Sequence, residues 1–111
     1  MKKKPELRNG FKDKKRLAEI HNLPCLVCRE FNLQQKTRTV AHHLIGFGLG
    51  KKASDAYAVA ICDFHHTSGG KNHAIHETPL KVWEAKFLPQ SKLLELTNRE
   101  LGVEPLGEVE G

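Results

Sequence analysis

Two short knuckles constrain this chain more than any other feature: Cys25-Leu26-Val27-Cys28 and, well downstream, Cys62-Asp63-Phe64-His65. Cysteines separated by two residues can turn both sulfurs to one point in a tight turn. Two such knuckles facing each other supply four soft ligands and no open position, which suits tetrahedral zinc. Such a site would pin the N-terminal segment to a later strand–helix junction. The chain needs that pin: its 111 residues are 39% hydrophobic and only 6% aromatic, enough for one small core. Three cysteines leave one over if they pair as disulfides, so the pattern belongs to a reducing compartment, and a cytoplasmic location is expected. Two other readings stay open. The cysteines can be buried and free, or Cys25 and Cys28 can be a redox pair. The second calls for a helix in a βαβ setting that the sequence does not present. No apolar run approaches the ~20 residues of a membrane span, so no membrane partner is expected. No apolar segment of signal-peptide type follows the basic N-terminus.

Residues 1–16 read as a basic arm. Lys2, Lys3, Lys4, Arg8, Lys12, Lys14, Lys15 and Arg16 stand against Glu6 and Asp13, a net of +6 in a chain of formal charge +5. An anionic partner, DNA above all, is the expected consequence, through salt-sensitive and sequence-blind phosphate contacts; the alternative is a solvated tail. A helix is expected from about Phe11 to His21 or Asn22, stopped by Pro24. His21 can be a further metal ligand or a surface residue at the helix end. Residues 29–38 read as a connector, with Phe31 and Leu33 touching the core. Strands are expected at 37–44 and 57–61, with β-branched Thr37, Thr39 and Val40 in the first. Between them, Gly46-Phe47-Gly48-Leu49-Gly50 leads to Lys51 and Lys52, a loop able to bring backbone and charge to DNA. Thr78-Pro79 opens a helix bearing Leu80, Trp83, Ala85 and Phe87, with Thr78 as the cap. After Pro89 a further helix runs from about Gln90 to Leu101. From Glu100 onward there are four Glu and no Lys or Arg, which reads as an acidic tail without fixed structure. The domain division is therefore arm 1–16, domain 17–101 and tail 102–111.

The seven histidines are the second informative feature. His42 and His43 end the first strand, and neighbours on a strand face opposite ways. One can bind a metal while the other addresses a different side of a substrate. His66 follows the second knuckle and faces away from His65, and His73 and His76 lie close behind. Hydrolysis of a phosphodiester needs an activated water, a Lewis acid on the phosphate and stabilisation of the leaving oxygen. An imidazole, with an ordinary pKa of ~6.5, suits the first task, and a divalent ion suits the other two. The alternative is a single zinc site with solvated histidines around it.

Taken together, Leu23-Pro24-Cys25-Leu26-Val27-Cys28, Ala41-His42-His43-Leu44-Ile45-Gly46, Ile61-Cys62-Asp63-Phe64-His65-His66, Ala74-Ile75-His76 and Trp83-Glu84-Ala85-Lys86-Phe87 resemble the HNH (ββα-metal) endonuclease superfamily. Within it, the chain is most similar to the small phage recombination-enhancement nucleases, which are RecA-dependent. The resemblance covers roughly residues 20 to 96. It implies an α+β fold with a zinc-pinned ββα-metal core flanked by N- and C-terminal helices. By position, it implies His43 as the general base and His42 and His66 as ligands of a catalytic ion. His76, preferred over His73, would be a third ligand, and Cys25, Cys28, Cys62 and His65 would hold structural zinc. The catalytic ion would be Mg²⁺ or Mn²⁺, with Zn²⁺ also accepted by imidazoles. DNA and a recombinase filament would be the partners, in a bacterial host cell. The chain departs from the pattern in two places. No middle Asn is evident, Asp55 being the nearest polar residue in that loop, and Gly70 stands one turn after His66. The expected function is a metal-dependent DNA endonuclease with a His base and one divalent ion. The alternatives are a non-catalytic zinc-containing DNA-binding module and a zinc-dependent domain that docks on a recombinase.

Overall fold

The computed structural model describes residues 6–46 and 53–103. Lys2, Lys3, Lys4, Lys51, Lys52 and residues 104–111 of the expected tail lie outside them. A two-stranded antiparallel sheet forms the centre of the described residues: β1 (Thr39–His43) pairs with β2 (Ala58–Cys62), Thr39 opposite Cys62 and His43 opposite Ala58. Every residue of β2 is buried, because α1 (Lys14–His21), α2 (Leu26–Glu30) and α4 (Gln90–Leu101) all pack on it. Ala58 and Ala60 leave room for that approach, while Val59 and Ile61 fill the core with Ile20, Leu26, Val27, Trp83 and Leu93. This is a small α+β fold, and no helix among the described residues is long and apolar enough to cross a membrane.

Several elements begin where a side chain makes them begin. α1 starts at Lys14 rather than Phe11, because the Asp13 carboxylate accepts the Arg16 amide at 3.0 Å. The boundary expected at residue 16 therefore falls inside a helix. Arg16 itself is 5% exposed and its guanidinium donates to the Ala58 carbonyl at 2.7 Å. Its charge braces β2, which removes it from the phosphate-facing set; Lys14 and Lys15 are exposed. His21 is likewise engaged, its Nδ1 lying 3.0 Å from the Thr39 carbonyl. α2 has no counterpart among the expected elements, and Cys25 caps it through its own sulfur, which accepts the Cys28 amide. Phe31 and Leu33, expected to touch the core, are 43% and 46% exposed. α3 (Leu80–Lys86) lacks the Thr78 cap: that hydroxyl donates instead to the Ala74 carbonyl at 2.7 Å. α4 has the expected bounds, buries Leu93, Leu94 and Leu96, and stops at Gly102, whose φ of +71° favours glycine.

Candidate metal centres

β2 ends at Cys62, and the chain then makes one wide, π-type turn over Phe64–Ser68. The Asp63 amide donates to the Arg38 carbonyl at 2.9 Å and the Phe64 amide to the Thr37 hydroxyl at 2.9 Å, so the turn is tied to the start of β1. Gly69 closes it by donating to the Phe64 carbonyl at 2.9 Å. This turn sends His65 and His66 to different places.

His65 joins Cys25, Cys28 and Cys62 in a buried cluster. Its Nδ1 lies 3.9, 3.7 and 3.3 Å from the three sulfurs in that order, and the Cys28 and Cys62 sulfurs are 3.9 Å apart. Ligands of a tetrahedral zinc, with Zn–S near 2.3 Å and Zn–N near 2.0 Å, should be separated by about 3.6 to 3.8 Å. The separations of 3.3 to 3.9 Å here bracket that range, so the four side chains could hold a structural metal such as zinc. The Cys62 thiol is pushed down, first by its hydrogen bond with Cys25 and further by His65, so the cluster favours a thiolate there. The knuckle is held from behind: the Cys25 amide donates to Gln35 Oε1 at 2.7 Å, and Gln35 Nε2 donates to Thr39 Oγ1 at 2.9 Å. One side of the cluster opens on a cavity of about 530 Å³ walled by Leu33, Phe64 and Phe87, with Lys36 and Lys86 in its lining.

His66 faces the other way, toward His42 on β1. His76, from the 3₁₀ turn Ile75–Glu77, completes a second group. Ring centroids are 5.2 Å apart for His42–His66, 5.2 Å for His42–His76 and 4.6 Å for His66–His76, each pair edge-on. One nitrogen from each lies within 4.8 Å of the others. Burial pushes the His42 ring down to about 4, His66 and His76 add to the shift, and a hydrogen bond to Gln90 opposes it. Burial, then His76, lowers His66 as well. Both rings are therefore neutral near pH 7, the form that coordinates a cation. His42 Nδ1 is buried without a hydrogen-bond partner among the described residues, and an ion would satisfy it. The donor set fits a divalent metal. His73 stays apart, its ring 5.3 Å from Phe64 and its carbonyl accepting Trp83 Nε1 at 2.9 Å.

His43 points to the opposite side of β1. Its Nε2 lies 2.8 Å from Asp55 Oδ1, so the ring donates to the carboxylate and turns Nδ1 away from it. Asp55 opens a 3₁₀ turn capped by Ser54, whose hydroxyl donates to the Glu6 carbonyl. The Asp55 amide donates to the Phe11 carbonyl at 3.0 Å and its Oδ2 accepts the Asp13 amide at 2.7 Å. Burial works against the charged carboxylate, but the Asp13 amide and the His43 ring outweigh it and hold the Asp55 carboxyl below its ordinary value. The packed end of the basic segment thus fixes Asp55, and Asp55 fixes His43.

The seven residues that the resemblance implies as metal ligands therefore fall into two groups, with His21, His43 and His73 apart from both. Gln90, buried and 3.0 Å from His42 Nε2, has no counterpart in the sequence reading. Glu84, which accepts the Gln90 amide at 2.7 Å, is also new. No family model matches the chain, and comparisons with curated proteins and with solved structures found no match.

Proposed function

We propose that this chain is a metal-dependent DNA endonuclease of the ββα-metal (HNH) type, working in phage DNA recombination or processing. The observation that carries the proposal is the division of labour at His42 and His43. The first turns into a three-histidine group; the second turns out to solvent on a buried carboxylate. His42, His66 and His76 would hold the catalytic ion, and Cys25, Cys28, Cys62 and His65 the structural one. When bound, a divalent ion supplies Lewis-acid polarisation of the scissile phosphate and charge stabilisation at the leaving 3′ oxygen. His43 takes the proton from the attacking water at Nδ1, because Nε2 already donates to Asp55. Asp55 keeps the ring in that tautomer and stabilises the imidazolium that results. Lys14 and Lys15, with the lysines of the arm and of the 51–52 pair, would hold the DNA backbone without reading its sequence.

A non-catalytic DNA-binding module needs the sulfur cluster and the lysines but has no use for His43 on Asp55. The test is nicking of supercoiled plasmid with and without Mg²⁺ or Mn²⁺, comparing wild type with His43→Ala. Divalent-dependent nicking that falls ~10²–10⁴-fold in His43→Ala, with DNA and metal binding kept, is the expected result. Undiminished nicking by His43→Ala overturns the mechanism. Absence of cleavage by wild type on single-stranded, duplex and recombinase-coated DNA overturns the function.

A further inference from the structure

We propose that Gln90 is the positioning residue of the three-histidine centre: its amide locks His42 in the Nε2–H tautomer and leaves Nδ1 as the lone pair that meets the ion. The inference rests on the reading of His42, His66 and His76 as metal ligands, and not on the reaction that the centre performs.

A side-chain amide has two faces of similar shape, and its neighbours decide which atom is oxygen. Here the backbone of one residue decides. Ile45 N–H donates to Gln90 Oε1 at 2.9 Å, and Gln90 Nε2 donates to the Ile45 carbonyl at 2.8 Å. Turning the amide over would set NH₂ against N–H and oxygen against oxygen, two repulsions in a site with no water access, since Gln90 is 0% exposed. The atom 3.0 Å from His42 Nε2 is therefore the oxygen. An amide oxygen only accepts, so His42 must donate from Nε2. In the neutral ring that proton is the only one, and Nδ1 carries the lone pair.

A second observation agrees. His42 Nδ1 is the ring atom left buried without a hydrogen-bond partner among the described residues. An N–H there would be stranded, whereas a lone pair there lacks only a Lewis acid. The support reaches further out: Gln90 is the first residue of α4, and its backbone N–H donates to the Glu84 carboxylate on α3 at 2.7 Å. Ligating histidines commonly donate their other nitrogen to a carboxylate or a carbonyl, and losing that partner typically weakens metal binding roughly 10–100-fold. An amide in this place orients the ring without adding negative charge. Three neutral ligands then leave the ion its full charge for an anionic substrate.

The test uses protein whose Cys25/Cys28/Cys62/His65 site is already filled with zinc. Long-range ¹H–¹⁵N NMR of ¹⁵N-histidine protein reads the His42 tautomer, and a Co²⁺ titration followed by its visible absorption reads the second centre. We expect Nε2–H in wild type. Gln90→Met should lose the single tautomer and bind Co²⁺ about 10–100-fold more weakly, with zinc at the sulfur site retained. Gln90→Glu, which in its protonated form keeps an acceptor for His42 and a donor for the Ile45 carbonyl, should recover most of both. Nδ1–H in the wild type overturns the proposal, and so does unchanged Co²⁺ affinity in a folded Gln90→Met. The wild-type tautomer decides even where the variant fails to fold. None of these readings uses DNA, so a protein that nicks nothing can still satisfy them, and an active nuclease can still fail them.

Discussion

His42 and His43 are chemically identical neighbours, and their different roles come from what each touches. His42 is buried against Gln90, His66 and His76; His43 stands in solvent on Asp55. The carboxylate can be tested by acid. Because the Asp55 carboxyl lies below its ordinary value in the folded protein, its contribution to stability is complete above the unfolded value of ~3.9 and is lost as pH falls through the folded one. Asp55→Asn should therefore be less stable than wild type in urea at pH 7, with the gap closing toward the acid end. A gap of constant size across pH 2–7 would show that the charge of Asp55 is not what matters. The same variant should lose about tenfold or more in nicking rate while its metal content stays at the wild-type level.

At the scale of elements, the turn Phe64–Ser68 decides most, and one glycine permits it. A Cβ on Gly69 would lie 2.5 Å from the Phe64 carbonyl oxygen and 3.0 Å from His73 Cβ. Backbone cannot yield as a flexible side chain would, so Gly69→Ala should cost about 1–3 kcal/mol and lower the metal content of both centres. A wild-type melting temperature with full metal content would contradict that. Elements with a long apolar period are legible in the sequence: α4 has the bounds its leucines and Pro89 set, and period-two alternation is enough to send His42 and His43 apart. α2 is not legible, because five residues are too few to show a helical period and its cap is a sulfur. The Thr78 cap fails because the Ala74 carbonyl competes for the same hydroxyl. Gln90 cannot be found from local pattern at all: its partner His42 is 48 residues away, and nothing at the start of α4 announces the contact. The assignment of Arg16 to the phosphate-facing set fails for the same reason, since burial against Ala58 is a tertiary fact.

For the whole molecule, the sulfur cluster joins α2 to the end of β2, two elements that also meet in the apolar core. Protein purified without added zinc should carry about one equivalent that resists mild chelation, and Cys62→Ser should unfold or melt far lower rather than merely react more slowly. A folded Cys62→Ser without metal would remove the cluster from the account of stability. The charge of +5 has a separate test. Lys14→Ala with Lys15→Ala should make the salt dependence of binding to random duplex shallower by up to about 2 in the log–log slope, since each phosphate that a lysine neutralises adds ~0.9 to it. An unchanged slope would mean that the two exposed lysines face water and not DNA.

His65 and His66 are consecutive residues turned to two different candidate metal sites, and on the proposed reading this orders the filling of the two. The sulfur cluster is reachable from the cavity beside Phe64 and can fill first. Filling it immobilises His65, and thereby the backbone that carries His66 toward His42. The second centre should therefore have little affinity in protein stripped of all metal and should acquire it only once the first is occupied, so that titration of the apo chain gives two ordered steps rather than two independent ones. Loss of metal should run in reverse: a chelator strong enough to empty the sulfur cluster should also empty the histidine group without touching any of its ligands.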